Sequence, residues 1–320
     1  MEINSKTCLI CKEEISNQKH FWQTHKMRQA EYYEKYFPKF DKFNGDPILF
    51  KTLSQYQSTE FLNKNNIKKW LKSLPKEEAI EHIKNVFIER KKEKGLKYYP
   101  SETEMTILPN LPNIKFLQSQ YEFDSICKSA GLEPRYSISY SNYNDIKIKC
   151  DTYYKDNPDC YIVVDTREQN PFKLKYPKQV KKLDYGDYAL SNSESLEKVV
   201  IERKSLIDFI GTMSGGYARF KKEIERAASD NVKIVVLIEV PINQIQIFDK
   251  LPYIARAKMK ASPDYIMRNI RMLSQEYKNL DFVFAKNRKE AIQILYKILF
   301  SNGLCHGLDV QYAYTVGCFD

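Results

Sequence analysis

The sequence predicts an α/β fold in which a mixed sheet is flanked by helices and preceded by a mainly helical region carrying a small metal-binding knuckle. Three observations predict it. Short apolar runs, VVI at 199–201 and the longer stretch 233–240, have the length and β-branched content of buried strands. Helical stripes alternate with these runs through the second half of the chain, the order expected of a parallel or mixed sheet rather than a bundle. Four cysteine and histidine side chains fall within the first twenty-five residues.

The 320 residues are enough for one to three domains, and composition shifts place boundaries at 1–30, 31–150, 151–303 and 304–320. Lys plus Arg number 51 against 41 Asp plus Glu, a net charge of +10 that biases the surface toward polyanions or simply aids solubility. There is no basic segment followed by an apolar leader and no run of eighteen apolar residues, which argues against secretion and membrane spanning. The seven cysteines show no disulfide framework. The expected setting is a reducing cell interior: cytoplasmic or nucleoid-associated, or nuclear in a eukaryote.

Cys8 and Cys11 form a CxxC turn, and His20 and His25 complete a tetrahedral donor set for Zn2+, a C2H2-like finger over 1–30. An ion there mainly stabilises folding, because some thirty residues have little core of their own. Phe21 and Trp22 are expected to pack over the metal. Lys19, Lys26 and Arg28 can meet phosphate, and recognition of a protein partner is an equal reading. Asn44–Pro47 signals a turn, and 59–74 carries a helical stripe that includes Phe61, Leu62, Ile67 and Leu71.

Pro75 then opens a second helix, with Ala79, Ile80, Ile83, Val86 and Phe87 facing a core. The basic run after it, Lys91 and Lys92 among it, reads as a solvated helix end or as a phosphate tract. Prolines 100, 109 and 112 interrupt the chain. A helix is expected over 116–130, closed by Gly131, and short strands over 135–140 and 145–149. Tyr136, Tyr140 and Tyr143 can stack on bases or fill a small core.

The chemistry concentrates in VVDTRE (163–168), LDYGDY (183–188) and VVIERKSLIDF (199–209). A strand ending at Asp165 and a glycine turn before Asp187 deliver carboxylates beside the strand that ends in Glu202, Arg203 and Lys204. Asp187 and Glu202 can converge on one Mg2+, which takes hard oxygen ligands and keeps several waters. Asp165 and Glu168 complete or orient the cluster. Lys204 holds a water or neutralises developing charge, and the sequence does not choose. Asp208, three residues after Ser205, reads as a helix cap and as support for the site. IERK at 88–91 repeats the letters in a lysine-rich helix without a GDY turn and is expected to be inert.

Gly215 and Gly216 lead into a helix over 217–228, whose Arg219, Lys221 and Lys222 are available to DNA. Strands over 233–240 and 281–285 and helices over 264–280 and 288–300 complete the sheet. Cys305, His306 and Cys318 lie in an expected mobile tail, where Asp309 would have to supply a fourth metal ligand, and packing or a terminal tail is the preferred reading.

The ordered trio resembles the nuclease domain of the XPF family of structure-selective DNA endonucleases. The resemblance rests on Gly186, Asp187, Glu202, Arg203, Lys204 and Asp208, with Asp165, Arg167 and Glu168 upstream, and covers about 161–300. Within GGYARF (215–220), Arg219 matches the family arginine. It implies a restriction-endonuclease-like core and Mg2+- or Mn2+-dependent hydrolysis of DNA phosphodiesters in repair or recombination, with a homodimer through this domain possible. A catalytically inactive DNA-binding scaffold, or a nuclease for foreign or sequence-specific duplex DNA, are the other readings. Family members commonly end in tandem helix-hairpin-helix modules, for which 304–320 leaves no room, so residues 1–150 are expected to select the substrate.

Overall fold

The structure is a computed structural model that describes residues 7–15, 19–39, 67–108, 111–191, 198–246, 248–250 and 261–319. The predicted turn at 44–47 and the start of the 59–74 helix lie outside them. The chain divides into two compact units, Met1–His82 with Leu108–Pro112, and Ile83–Ile107 with Asn113–Asp320.

The first unit contains helices α1 (His20–His25) and α2 (Gln29–Tyr36) and a helical segment at 67–73. Its small core is Cys8, Phe21 and Tyr32. Phe21 is fully buried, as expected, whereas Trp22 is 59% exposed and does not join the core. Helix α3 (Lys76–Lys94) follows Pro75 and buries Ala79, Ile83 and Phe87.

The second unit is built on a six-stranded sheet with order β2-β1-β3-β4-β5-β6. The strands are β1 (Ile162–Val164), β2 (Lys178–Val180), β3 (Tyr188–Leu190), β4 (Lys198–Lys204), β5 (Val232–Ile238) and β6 (Leu280–Phe284). β3 runs antiparallel to β1 and β4; the other pairings are parallel. Every residue of β5 is buried, because its neighbours occupy both edges and helices cover both faces, the situation that selects a continuous apolar run. Strand β2 escaped the sequence reading: KQV is wholly exposed and has no apolar alternation to betray it.

Three expectations are corrected. The helix over 116–130 is two, Ile114–Tyr121 (α5) and Phe123–Ser129 (α6), split where Glu122 takes φ +58°; Glu102–Ile107 is α4. No strand forms over 135–140 or 145–149; Tyr140–Asp145 is a 3-10 turn. The tail is not mobile in form: helix Val310–Val316 is capped by Asp309, and Cys305 and Cys318 are buried.

The tyrosines explain these differences. Tyr140 stacks on Tyr143 at 5.4 Å, and both meet Tyr312 of the tail helix edge-on. They are core residues, and base stacking is ruled out by their burial. Beneath them Lys233, wholly buried in β5, donates to the carbonyls of Cys305 (2.8 Å) and Leu308 (2.6 Å) and pairs with Asp281 at 2.8 Å. Asp281 also accepts from the Tyr136 hydroxyl at 2.6 Å. A buried lysine is tolerated only when so satisfied, and this one fastens the tail and the 135–143 segment to the sheet.

Candidate active site and metal centre

β4 buries Val200 and Ile201 and thereby brings Glu202, Arg203 and Lys204 to the end of the sheet. The preceding turn fixes Asp187 against it. Gly186 has φ +69°, and a Cβ there would lie 3.0 Å from the Ile201 carbonyl and 3.2 Å from Val200 Cβ, so both backbone conformation and space require glycine. The Asp187 N–H donates to the Ile201 carbonyl (2.8 Å), and the Arg203 N–H donates to the Asp187 carboxylate (2.8 Å). Two neighbouring strands thus present Asp187 and Glu202 side by side, and Lys204 Nζ pairs with Glu202 at 2.5 Å.

The electrostatics match this crowding. Burial first and Glu202 second push the Asp187 carboxyl up to about 7, against the opposing Arg203 N–H. Burial pulls Lys204 down, but Glu202, Asp187 and Glu223 together hold it above its ordinary value. Glu223 is the residue that the sequence reading missed. It lies on helix Tyr217–Ser229 on the same flank as buried Phe220, Ile224 and Ala227, accepts from the Gly186 N–H, and is raised by burial and by Glu202. Two further side chains of that helix end, Arg226 over the Tyr185 ring and Asp230 accepting from the Tyr185 hydroxyl, grip the same turn. The signal was available as i, i+3, i+7 spacing from Phe220, but a glutamate in a lysine-rich helix reads as surface.

Other expected site residues are engaged by their own partners, while Glu168 also adds to the charge that raises Asp187. Asp165 accepts from Arg167 Nε (2.6 Å), the Arg167 N–H (2.8 Å) and the Leu183 N–H (2.6 Å), which leaves its carboxylate spoken for. Glu168 accepts from Arg203 Nε (2.7 Å) and NH2 (3.0 Å), and Arg203 reaches Glu239 at 2.9 Å, itself paired with Arg288 at 2.5 Å. Arg203 and Glu168 are therefore buried ion-pair partners. Asp208 is exposed and accepts from Ser205 Oγ at 2.6 Å, while its N–H donates back to that hydroxyl: the cap of helix Leu206–Met213.

Of the candidate DNA contacts, Arg219 and Lys222 are exposed, and Lys221 pairs with Glu276 at 2.7 Å. Lys91 donates to the Gly131 carbonyl and Lys92 is exposed.

Asp187, Glu202 and Glu223 are electrostatic neighbours with a surplus of negative charge. The raised carboxyl groups of Asp187 and Glu223 have the same origin, burial first and the neighbouring Glu202 second, and a divalent cation with retained waters would offset both.

In the first unit, one donor atom from each of Cys8, Cys11, His20 and His25 lies within 4.8 Å of the others. Cys8 Sγ is 3.3 Å from His25 Nε2, and Cys11 Sγ is 3.5 Å from His20 Nε2. Zinc bonds of about 2.0–2.3 Å imply tetrahedral edges of about 3.3–3.8 Å, so the donor set fits Zn2+. Burial raises the Cys8 thiol, but hydrogen bonds from the Cys11 backbone and the His20 side chain bring it down to about 6, toward the thiolate a metal requires.

Residues 164–298 match the ERCC4 domain. The homology takes in Val164 at the end of β1, the glycine turn, Asp187, Glu202, Lys204 and Glu223, and it is a homology to a nuclease domain. Among solved structures, the XPF of Aeropyrum pernix in complex with DNA is 21% identical, with 43% of this chain and 62% of that one covered and a TM-score of 0.32. The XPF of Aeropyrum pernix without DNA is 19% identical, covering 43% and 64%, with a TM-score of 0.32. The chain thus spans less than two thirds of either. No curated protein matches it.

Proposed function

We propose that this protein is a Mg2+-dependent DNA endonuclease acting on branched or otherwise structured DNA. The observation that carries the reading is the meeting of Asp187, Glu202 and Lys204 at one sheet end within the stretch homologous to ERCC4 nuclease domains. Asp187 and Glu202 would hold the ion, with Glu223 close enough to add to its field. When bound, Mg2+ supplies charge stabilisation at the scissile phosphate and lowers the pKa of a coordinated water.

The chain's own groups do the rest. The backbone N–H of Arg203 orients the Asp187 carboxylate. Lys204 is held protonated beside Glu202 and balances charge as the attacking water gives a proton to solvent and bonds phosphorus, while the bond from phosphorus to the bridging sugar oxygen breaks and that oxygen takes a proton from solvent. Arg203, Glu168 and Glu239 hold the end of β4 rigid.

The test substitutes Asp187→Ala and Glu202→Ala separately, verifies folding, and assays labelled duplex, forked and flapped DNA with and without Mg2+. Each variant is expected to bind DNA and to lose cutting by at least about a hundredfold, within the range of single catalytic groups. Near-normal cutting by both rejects the site. DNA binding by the wild type without cutting on any substrate identifies a scaffold instead.

A further inference from the structure

Between the site's first strand and its glycine turn runs QNPFKLKYPKQVKKL (169–183), with five lysines and no carboxylate. Its middle is β2, the open edge of the sheet, where every residue is exposed and Val180 is 65% exposed. Lysines on an edge strand commonly serve to prevent sheet-to-sheet pairing, and one or two suffice for that. Here Lys173, Lys175, Lys178, Lys181 and Lys182 are all exposed on one stretch of ten residues, and the ion pairs beside it, Arg167–Asp165 and Arg203–Glu168, are made among other side chains.

The stretch is held at both ends. Phe172 is buried, stacks on Tyr188 at 5.4 Å, and its N–H donates to the Tyr188 hydroxyl. At the other end the Lys181 N–H donates to the Val164 carbonyl (3.0 Å), the Leu183 N–H to Asp165 (2.6 Å), and Arg167 to the Leu183 carbonyl (2.9 Å). Lys181 also lies 4.8 Å over the Tyr161 ring with its ammonium on the Tyr161 hydroxyl. The backbone is therefore ordered before any ligand arrives, which removes an entropic cost of binding.

The parallel register of β2 with β1, Val164 opposite Val180, puts Lys181 and Lys182 at the same sheet end as Asp165 and Asp187. From Lys178 to Lys182 an extended chain runs about 13 Å, longer than the step between successive phosphates of one strand.

We propose that this lysine ledge, 173–182, seats the phosphate backbone of the substrate DNA and leads it to Asp187 and Glu202. The inference rests on the nuclease reading above. A second copy of the chain is the other natural occupant of an open sheet edge, and it would set lysines against lysines; a polyanion does not.

The experiment uses the full chain and a labelled forked duplex in EDTA, at several salt concentrations. It compares wild type, the variant Lys173→Gln/Lys178→Gln/Lys181→Gln/Lys182→Gln, its half Lys178→Gln/Lys182→Gln, and Lys115→Gln/Lys128→Gln as a charge-matched control for the half. The ledge variants are expected to bind more weakly than the control. Their slope of log affinity against log salt should flatten by about 0.9 for each phosphate that the protein no longer neutralises. With Mg2+ added, the DNA concentration for half-maximal cutting should rise while the rate at saturation stays near wild type.

Ledge variants that match the control in affinity and slope, beside a wild type that cuts, overturn the ledge and spare the nuclease reading. A change in sedimentation between monomer and dimer with unchanged DNA binding also overturns it. A wild type that neither binds nor cuts any of the DNAs rejects both.

Discussion

Replacing Arg203 by methionine should cost the second unit stability before it tells anything about catalysis. The guanidinium is 8% exposed and the Glu168 side chain 3% exposed, with a two-point contact between them, and Glu239, 12% exposed, lies on its other side. Removing one partner of a buried pair costs about 3–5 kcal/mol, because a charge is left stranded. Glu239 keeps Arg288, so the lower end, about 3 kcal/mol, is expected; for a domain of this size that lowers Tm by about 6–12 °C.

Thermal and urea unfolding followed by circular dichroism measure it, and Arg203→Met/Glu168→Gln should recover part of the loss by removing the stranded carboxylate. Burial pushes Glu168 up, yet its hydrogen bonds from Arg203 and Asn170 carry it below its ordinary value. Its contribution is thus fully present above about 4.5, the ordinary glutamate value, and is lost as pH falls through the lower folded value, so the gap between wild type and variant should close in acid. A variant with wild-type Tm and no cutting would refute this and place Arg203 at the substrate.

Gly186→Ala should lose about 1–3 kcal/mol from its φ of +69° and its crowded Cβ, and cutting should fall with it although Asp187 is intact, as a nicking assay beside a melting curve would show. The chain purified without added metal should carry about one zinc by elemental analysis; Cys8→Ser should abolish it and unfold the Phe21–Tyr32 core in the near-ultraviolet, while cutting still requires added Mg2+. Glu223→Gln should raise the Mg2+ concentration for half-maximal cutting by about tenfold, the scale of outer-shell partners, with Tm nearly unchanged; an unchanged metal requirement would leave Glu223 as a cap on Gly186 alone. Mg2+ affinity, followed by titration calorimetry, should fall by up to about tenfold per pH unit below about 7, since the raised Asp187 carboxyl takes a proton in competition with the ion.

What the sequence disclosed and what it hid follow from the range of the interactions. The glycine before Asp187 and the apolar run before Glu202 are local signals, and the structure joins them through adjacent strands. The four zinc donors were legible because ligand chemistry demands four of a few residue types close in sequence. Glu168 and Glu239 reach Arg203, and Arg288 reaches Glu239, only through tertiary packing, so these ion pairs could not be read from the motif. The exposed strand β2 has no periodicity to read. The tail looked mobile because its anchor, buried Lys233, sits in a strand some seventy residues earlier.

The charge distribution at the sheet end ties these findings together. The Asp187 and Glu202 carboxylates already outnumber the single Lys204 ammonium, which leaves one net negative charge. Glu223 adds a third, delivered by a helix that also clamps Tyr185 through Arg226 and Asp230. The clamp and the charge have one cause, since the Gly186 N–H that Glu223 accepts belongs to the turn presenting Asp187. Arg203, the strongest cation nearby, is spent on Glu168 and Glu239 and does not relieve the deficit, and Arg167 is held by Asp165. The Arg203 and Arg167 guanidiniums are thus paired with other carboxylates, and Asp187 and Glu223 stay raised. A divalent ion bound there would gain by relieving that repulsion, and the proposed lysine ledge ends at the same end of the sheet.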